Sequence, residues 1–396
     1  MISLEKFKGE LEVELREILS YWMAMAPDEA FGGFVGRIDS DNEVVADAQK
    51  GAVLNTRLLW TFAAAYNFSG NAEYLTVADR AYRYIAGHFI DQEFGGVYWS
   101  LDHQGHPLNN KKQVYAVAFA IYGFSEYYLA SANQEAIDFA INLYELLVEK
   151  SYDPVHTGYF EAFSRDWRPI DDLRLSDKDA NEKKTANTHL HVLEAYTNLY
   201  RIWPDEGLKV QIERLINNFL EHFISPETHQ LRLFFDEVWN SRSHSISYGH
   251  DIETTWLLQR AAEQVENKGL LNKVKTQNVL MADAAIQGLD ADGALWYEYE
   301  NNHFINEKHW WVQAEAMVGF FNTWQITGDD KYLEIAERIW QYINMKILDK
   351  QHGEWYLGID EHGEIMKGQD KAGFWKCPYH NSRACMEIVS RIKAYL

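Results

Sequence analysis

Charge is distributed along this chain in alternating blocks of helical length. Stretches at about 4–25, 72–90, 134–150, 206–223, 267–288 and 330–348 repeat apolar residues at helical spacing and carry many charges. Those at about 51–68, 113–130, 187–203, 250–265, 309–325 and 379–394 are bulky and nearly uncharged. A helix with a polar face borders solvent, whereas one that is apolar all round is buried. The pattern therefore predicts twelve helices, six outer and six inner, in a double ring. Each outer helix is followed by a glycine-and-aromatic segment such as FGGFVGRIDSD from Phe31, FGGVYWSLD from Phe94 or GEWYLGID from Gly353, at intervals of roughly sixty to seventy residues. These segments read as short hairpins or extended loops at one end of the ring, and the fold class predicted is all-α, an (α/α)6 barrel.

Direct repetition supports that reading. SGNAEYLTVADRAYRYI from Ser69 aligns without gaps to TGDDKYLEIAERIWQYI from Thr327, with identities that include Gly70/Gly328, Tyr74/Tyr332 and Arg80/Arg338. A fixed period of this length marks a repeat architecture. An open superhelix of helix pairs is the alternative, but six units without polar terminal caps favour closure. No linker rich in Gly, Pro or Ser interrupts residues 1–396, so a single catalytic domain is expected. The one compositional break is the polar stretch 166–186, long enough to cover a site.

The formal charge of −22, with no run of Lys or Arg, argues against nucleic acid and anionic membrane surfaces as partners. Aromatic residues make up 14% of the chain, a composition suited to a cleft for a neutral ring-shaped ligand. The two cysteines, Cys377 and Cys385, read as free thiols of a reducing compartment. The N-terminus has the form of an acidic amphipathic helix rather than a signal peptide. The expectation is a cytoplasmic monomer.

If every inner helix runs the same way, their N-termini share one mouth, and the unusual polar residues of these helices gather there. Arg57 lies one to two turns into the first inner helix, Tyr115 begins the second, and Asn187 and His191 share a face of the third. His250 and Glu253 open the fourth, Trp310 the fifth, and His380, just after Pro378, the sixth. A lone buried histidine is usually a satisfied core residue. His189 fits that description, pointing nearly opposite to His191. Three histidines opening three inner helices are harder to dismiss. The HxH and HxxE spacings match no familiar zinc site, and no metal is expected. Imidazoles can take and return a proton at working pH, and a fixed guanidinium can stabilise the enediolate formed beside a carbonyl. Epimerisation needs acid/base groups on both faces of the reacting carbon, and His250 with His380 would meet that need.

At these residues the chain resembles the N-acylglucosamine 2-epimerase superfamily, most of all its cellobiose 2-epimerase branch. The matching stretches are NTRLLW around Arg57, KTANTHLHVLEAYTNLYR from Lys184, YGHDIETTWLL from Tyr248, EKHWWVQAEA from Glu307 and WKCPYHNSRACMEI from Trp375. The resemblance implies an (α/α)6 barrel that epimerises C2 of a reducing-end sugar through a cis-enediol, without metal or nucleotide cofactor. It makes His250 and His380 the acid/base pair, with His380 also assisting ring opening and Glu253 orienting His250. Arg57, Asn187 and His191 would hold sugar and enediolate oxygens. Tyr115 and Trp310 would line the first sugar subsite, Trp375 would stack on the second sugar, and Asp179 would contact substrate. The WKCPYHN form points to a disaccharide substrate. An aldose–ketose isomerase or monosaccharide epimerase, a glycoside hydrolase using paired carboxylates and a non-catalytic sugar-binding barrel are the competing readings.

Overall fold

The computed structural model describes residues 3–300 and 302–396. Twelve α-helices are formed among the described residues: α1 (Leu4–Met25), α2 (Ala52–Ser69), α3 (Ala72–Tyr84), α4 (Val114–Ser131), α5 (Gln134–Lys150), α6 (Ala186–Tyr200), α7 (Glu206–Asn218), α8 (Tyr248–Gln264), α9 (Lys268–Ala285), α10 (Trp310–Thr327), α11 (Asp330–Tyr342) and α12 (Tyr379–Tyr395). The even-numbered helices pack side by side in the order α2, α4, α6, α8, α10, α12, and α12 returns to α2, closing the ring. The odd-numbered helices form the outer layer, and α1 packs on α12. The uncharged stretches are thus the inner helices, and in α4 every residue from Val114 to Tyr127 is buried. Closure, rather than an open superhelix, is what the missing polar caps implied. Among the described residues no helix is long and apolar enough to cross a membrane.

The six glycine-aromatic segments are tight turns at the mouth where the inner helices begin. Asp28 N–H bonds to Gly33 O, Asp91 N–H to Gly96 O, Asp153 N–H to Gly158 O and Ser225 N–H to Gln230 O. Gly33 and Gly96 adopt φ of 62° and 74°, which an L side chain would strain. Two-residue strands tie each turn to the next repeat: Lys50–Gly51 pairs with Ser100–Leu101, and Lys112–Gln113 with Ala162–Phe163. An antiparallel bridge between Ile38 and Ala372 joins the last repeat to the first.

A buried lysine locks five of the six units to their turns. The pairs are Lys50–Asp28, Lys112–Asp91, Lys184–Asp153, Lys308–Asp290 and Lys371–Asp349, each at 2.7–2.8 Å. In the fourth unit Ile246 stands where the strand lysine would be and Ser225 where the aspartate would be, so both partners are missing together. Losing only one would strand a buried charge.

Three inner helices also reach back to their turns. Tyr159 N–H donates to His189 Nε2 at 2.8 Å, which fixes His189 as a structural residue. Gln313 accepts from Leu295 N–H at 2.8 Å and donates to Leu295 O at 2.7 Å. Asp251 accepts from Leu231 N–H at 2.8 Å, while its Oδ2 is buried without a partner among the described residues. Burial pushes the Asp251 carboxyl up to about 8. The unfolded chain ionises near pH 4 while the folded carboxyl stays protonated, so stability falls as pH rises between those values. Asp251→Asn, with an amide like that of Gln313, is expected to raise Tm by a few degrees at pH 8 and by less at pH 5. Thermal melts at the two pH values check this.

Candidate active site

A cavity of about 870 Å³ opens at the N-terminal ends of the inner helices. All ten residues singled out from the sequence line it: Arg57, Tyr115, Asp179, Asn187, His191, His250, Glu253, Trp310, Trp375 and His380. Its volume lies within the range of small-molecule sites. The segment before α12 is anchored from below, because Glu354 accepts from Lys376 Nζ at 2.6 Å and from Asn381 Nδ2 at 2.8 Å. That anchor holds Trp375 and His380 on either side of Pro378.

Each of the three imidazoles has its Nδ1 engaged by a neighbour. His380 Nδ1 lies 2.6 Å from Glu315 Oε1, His191 Nδ1 2.9 Å from Glu194 Oε2, and His250 Nδ1 2.7 Å from Ser247 Oγ. None of the three Nε2 atoms has a protein partner among the described residues. A carboxylate partner requires Nδ1 to carry the hydrogen, which leaves Nε2 with the lone pair. Trp311 joins two of these rings, with centroids 4.8 Å from His250 and 5.7 Å from His380.

Burial holds all three imidazoles neutral. It pushes His250 down to about 3. His380 is held well below its ordinary value by burial and then by the guanidiniums of Arg57 and Arg383. At His191 burial prevails over the opposing pull of Glu194. A base held below its usual 6.5 stays unprotonated in mild acid. The expected result is a kcat/KM that stays level from about pH 8 down to about pH 5, where an unperturbed histidine would impose an acid limb near 6.5. A pH–rate profile checks it.

The expected partnership of Glu253 with His250 is not what the fold provides. Ser247 holds His250, whereas Glu253 Oε1 accepts from Arg383 Nη2 at 2.7 Å and lies 4.0 Å from His380 Nδ1. One helical turn separates His250 from Glu253, but the carboxylate is taken by the guanidinium of Arg383 on α12. Its Oε2 is buried without a partner among the described residues, and burial together with Glu315 raises this carboxyl well above its usual range.

Arg57 is buried with no carboxylate partner among the described residues. Its Nη2 donates to Tyr115 Oη at 2.7 Å, Nη1 lies 3.9 Å from Cys377 Sγ, and its Cζ sits 4.2 Å from the Phe119 ring centre. The ion-pair role open to it in the sequence is therefore unfilled. A buried, unneutralised cation at a cavity wall favours a ligand that develops negative charge.

The floor beneath these groups was not anticipated. Arg383 bonds to Glu194, Glu253, Glu315 and Tyr379 at once. Glu253, Glu315 and His380 offer donor atoms within 4.8 Å of one another. Arg383 Nη2, at 2.6 and 2.7 Å from the two carboxylates, already supplies the cation of that cluster. Above, aromatic rings form the walls: Trp375 lies 5.8 Å from Trp99 and 5.9 Å from Tyr115, and Tyr297 stacks on His309 at 3.9 Å. Apolar ring faces with polar groups between them suit the two faces of a sugar.

The family described as N-acylglucosamine 2-epimerase matches residues 32–384. The chain is 46% identical over 388 residues to a cellobiose 2-epimerase of Bacteroides fragilis, covering 97% of this chain and 99% of that one. It is 38% identical to a cellobiose 2-epimerase of Ruminococcus albus, covering 97% of this chain and 98% of that one. The solved structure of cellobiose 2-epimerase from Bacillus thermoamylovorans superposes with a TM-score of 0.93 at 39% identity, covering 98% of this chain and 100% of that one.

Proposed function

Because the chain belongs to the N-acylglucosamine 2-epimerase family and is a carbohydrate epimerase or isomerase, we propose that it epimerises C2 of the reducing-end glucose of β-1,4-linked disaccharides, working as one catalytic unit. The observation that carries this reading is the pairing of neutral imidazoles, with free Nε2 atoms, and the uncompensated guanidinium of Arg57 on one cavity wall. Ring opening, assisted by His380, exposes the C1 aldehyde and makes the C2 proton acidic. One of His250 and His380 takes that proton, and negative charge builds on O1 beside Arg57. The other, having taken a proton from solvent at Nε2, gives it to the opposite face of C2 while the first releases its proton to solvent, giving the mannose configuration. Proton transfer alone interconverts the epimers, so the proposal calls for no metal or nucleotide.

Asn187 and His191 would hold sugar hydroxyls, Tyr115 and Trp310 would line the first subsite, and Trp375 with Asp179 would hold the second sugar. The names of the relatives support a cellobiose-like substrate, and the aromatic pair Trp99–Trp375 supports a stacking platform for a second ring. Incubation with cellobiose, followed by chromatography, tests the proposal. It expects 4-O-β-glucosyl-mannose, and epilactose from lactose, with activity intact after exhaustive chelation. A ketose as the main product would favour reprotonation at C1 and an isomerase. Free glucose would overturn the reading in favour of hydrolysis.

A further inference from the structure

Glu194, Glu315 and Arg383 are buried ionisable groups absent from the wall of the substrate cavity. Whatever they contribute passes through the groups they hold. We infer that they form a positioning cluster for the proposed epimerisation: the carboxylates fix the tautomers of His191 and His380, and the arginine fixes the carboxylates. The inference rests on the functional reading above and extends it to residues that substrate does not touch.

The geometry is specific. Arg383 directs Nη1 to Glu194 and Tyr379, and Nη2 to Glu315 and Glu253 at 2.6 and 2.7 Å. Glu194 receives His191 on its other oxygen at 2.9 Å, and Tyr379 Oη donates to it as well. Glu315 Oε1 receives His380 at 2.6 Å, while its Oε2 receives Trp256 Nε1 at 3.0 Å. One planar guanidinium thus registers α6, α8, α10 and α12 against one another, and the two imidazoles are set by a single rigid fork. Burial alone would raise the Glu194 carboxyl, but Arg383 and the His191 hydrogen bond outweigh it and bring it down to about 2.

A second cavity, of about 220 Å³, lies at the other end of the inner helices, with Glu194, Arg383 and Trp60 in its wall. Arg383 Nε and Trp60 Nε1 are buried without protein partners among the described residues. Such a polar space has room for water, which would hydrate the charged cluster from the side away from substrate. The cluster is then a charged partition between two chambers.

The chemistry turns on one hydrogen. A neutral imidazole carries a single N–H, and only with that hydrogen on Nδ1 can Nε2 accept a proton from carbon. An amide at position 315 can offer its own N–H to Nδ1 and so invert the tautomer. For Glu315→Gln the expected result is a fall in kcat of roughly 1,000-fold, with KM changed by less than about threefold. Glu315→Asp should recover at least about tenfold over the Gln variant. Arg383→Lys, which keeps the charge but cannot bridge three carboxylates, should lose at least about tenfold in kcat. Nitrogen-15 NMR of histidine-labelled protein should show His380 with its hydrogen on Nδ1 in the unaltered enzyme and on Nε2 in Glu315→Gln. An Nε2–H tautomer in the unaltered enzyme, or a Glu315→Gln variant with kcat within about threefold of it, would overturn the inference. The tautomer measurement needs no variant to fold. An unaltered protein that left C2 of every sugar untouched would instead refute the functional reading, with the tautomer result still deciding this one.

Discussion

His250→Ala and His380→Ala are each expected to lower turnover of cellobiose by roughly 100- to 10,000-fold, the usual worth of a positioned acid/base group. Far-UV circular dichroism should remain that of a helical barrel, because both side chains face the cavity rather than the packed core. The two losses should not multiply. Groups acting in one proton relay are strongly non-additive, so the double variant should fall within about tenfold of the worse single one. A sharper signature is stereochemical. With one base removed, the remaining imidazole still reaches one face of C2. Each single variant should therefore exchange the C2 proton with solvent in one epimer only, and the two variants should favour opposite epimers. Proton NMR of both sugars in deuterated water reads this directly. Exchange of both epimers by either variant would mean that a single base serves both faces.

Arg57→Met is expected to cost roughly 100- to 1,000-fold in kcat, comparable to removing one preorganised donor from an oxyanion site. Its effect on stability should run the other way. The guanidinium is packed against Phe119 and Tyr379 at 4.2 and 4.7 Å and has no carboxylate partner among the described residues. A methionine of similar length keeps most of that packing and removes the unneutralised charge. Melting temperature should hold or rise while activity collapses, as is usual for residues kept for chemistry. Steady-state kinetics and thermal melts on the same preparation check both halves. A large fall in Tm with kcat nearly intact would make Arg57 a structural residue.

The ring of helices was legible in the sequence because burial erases the polar stripe. α2 and α4 carry almost no charge along their length, and a helix without a polar face has nowhere to lie but inside. The mouth was legible for the same reason, since Arg57, His191, His250 and His380 stand out against an apolar background. Contacts between helices were not legible. Glu253 lies three residues after His250, a spacing that suggests partnership, yet a guanidinium from α12 claims it. The floor left a trace that local reading passes over: His191/Glu194, His250/Glu253 and His380/Arg383 each place a charge one turn beyond a cavity histidine. Only the closed ring shows that these charges meet. The lysine–aspartate locks were hidden differently, by separations of 22, 21, 31, 18 and 22 residues that no fixed motif captures.

The central claim is that a proton leaves one face of C2 and another returns to the opposite face. Incubating the unaltered protein with cellobiose in deuterated water tests it most directly. The account predicts 4-O-β-glucosyl-mannose with one deuterium at C2 of the reducing sugar in each product molecule. Epimer carrying only protium at C2, or release of glucose without exchange at C2, would contradict it.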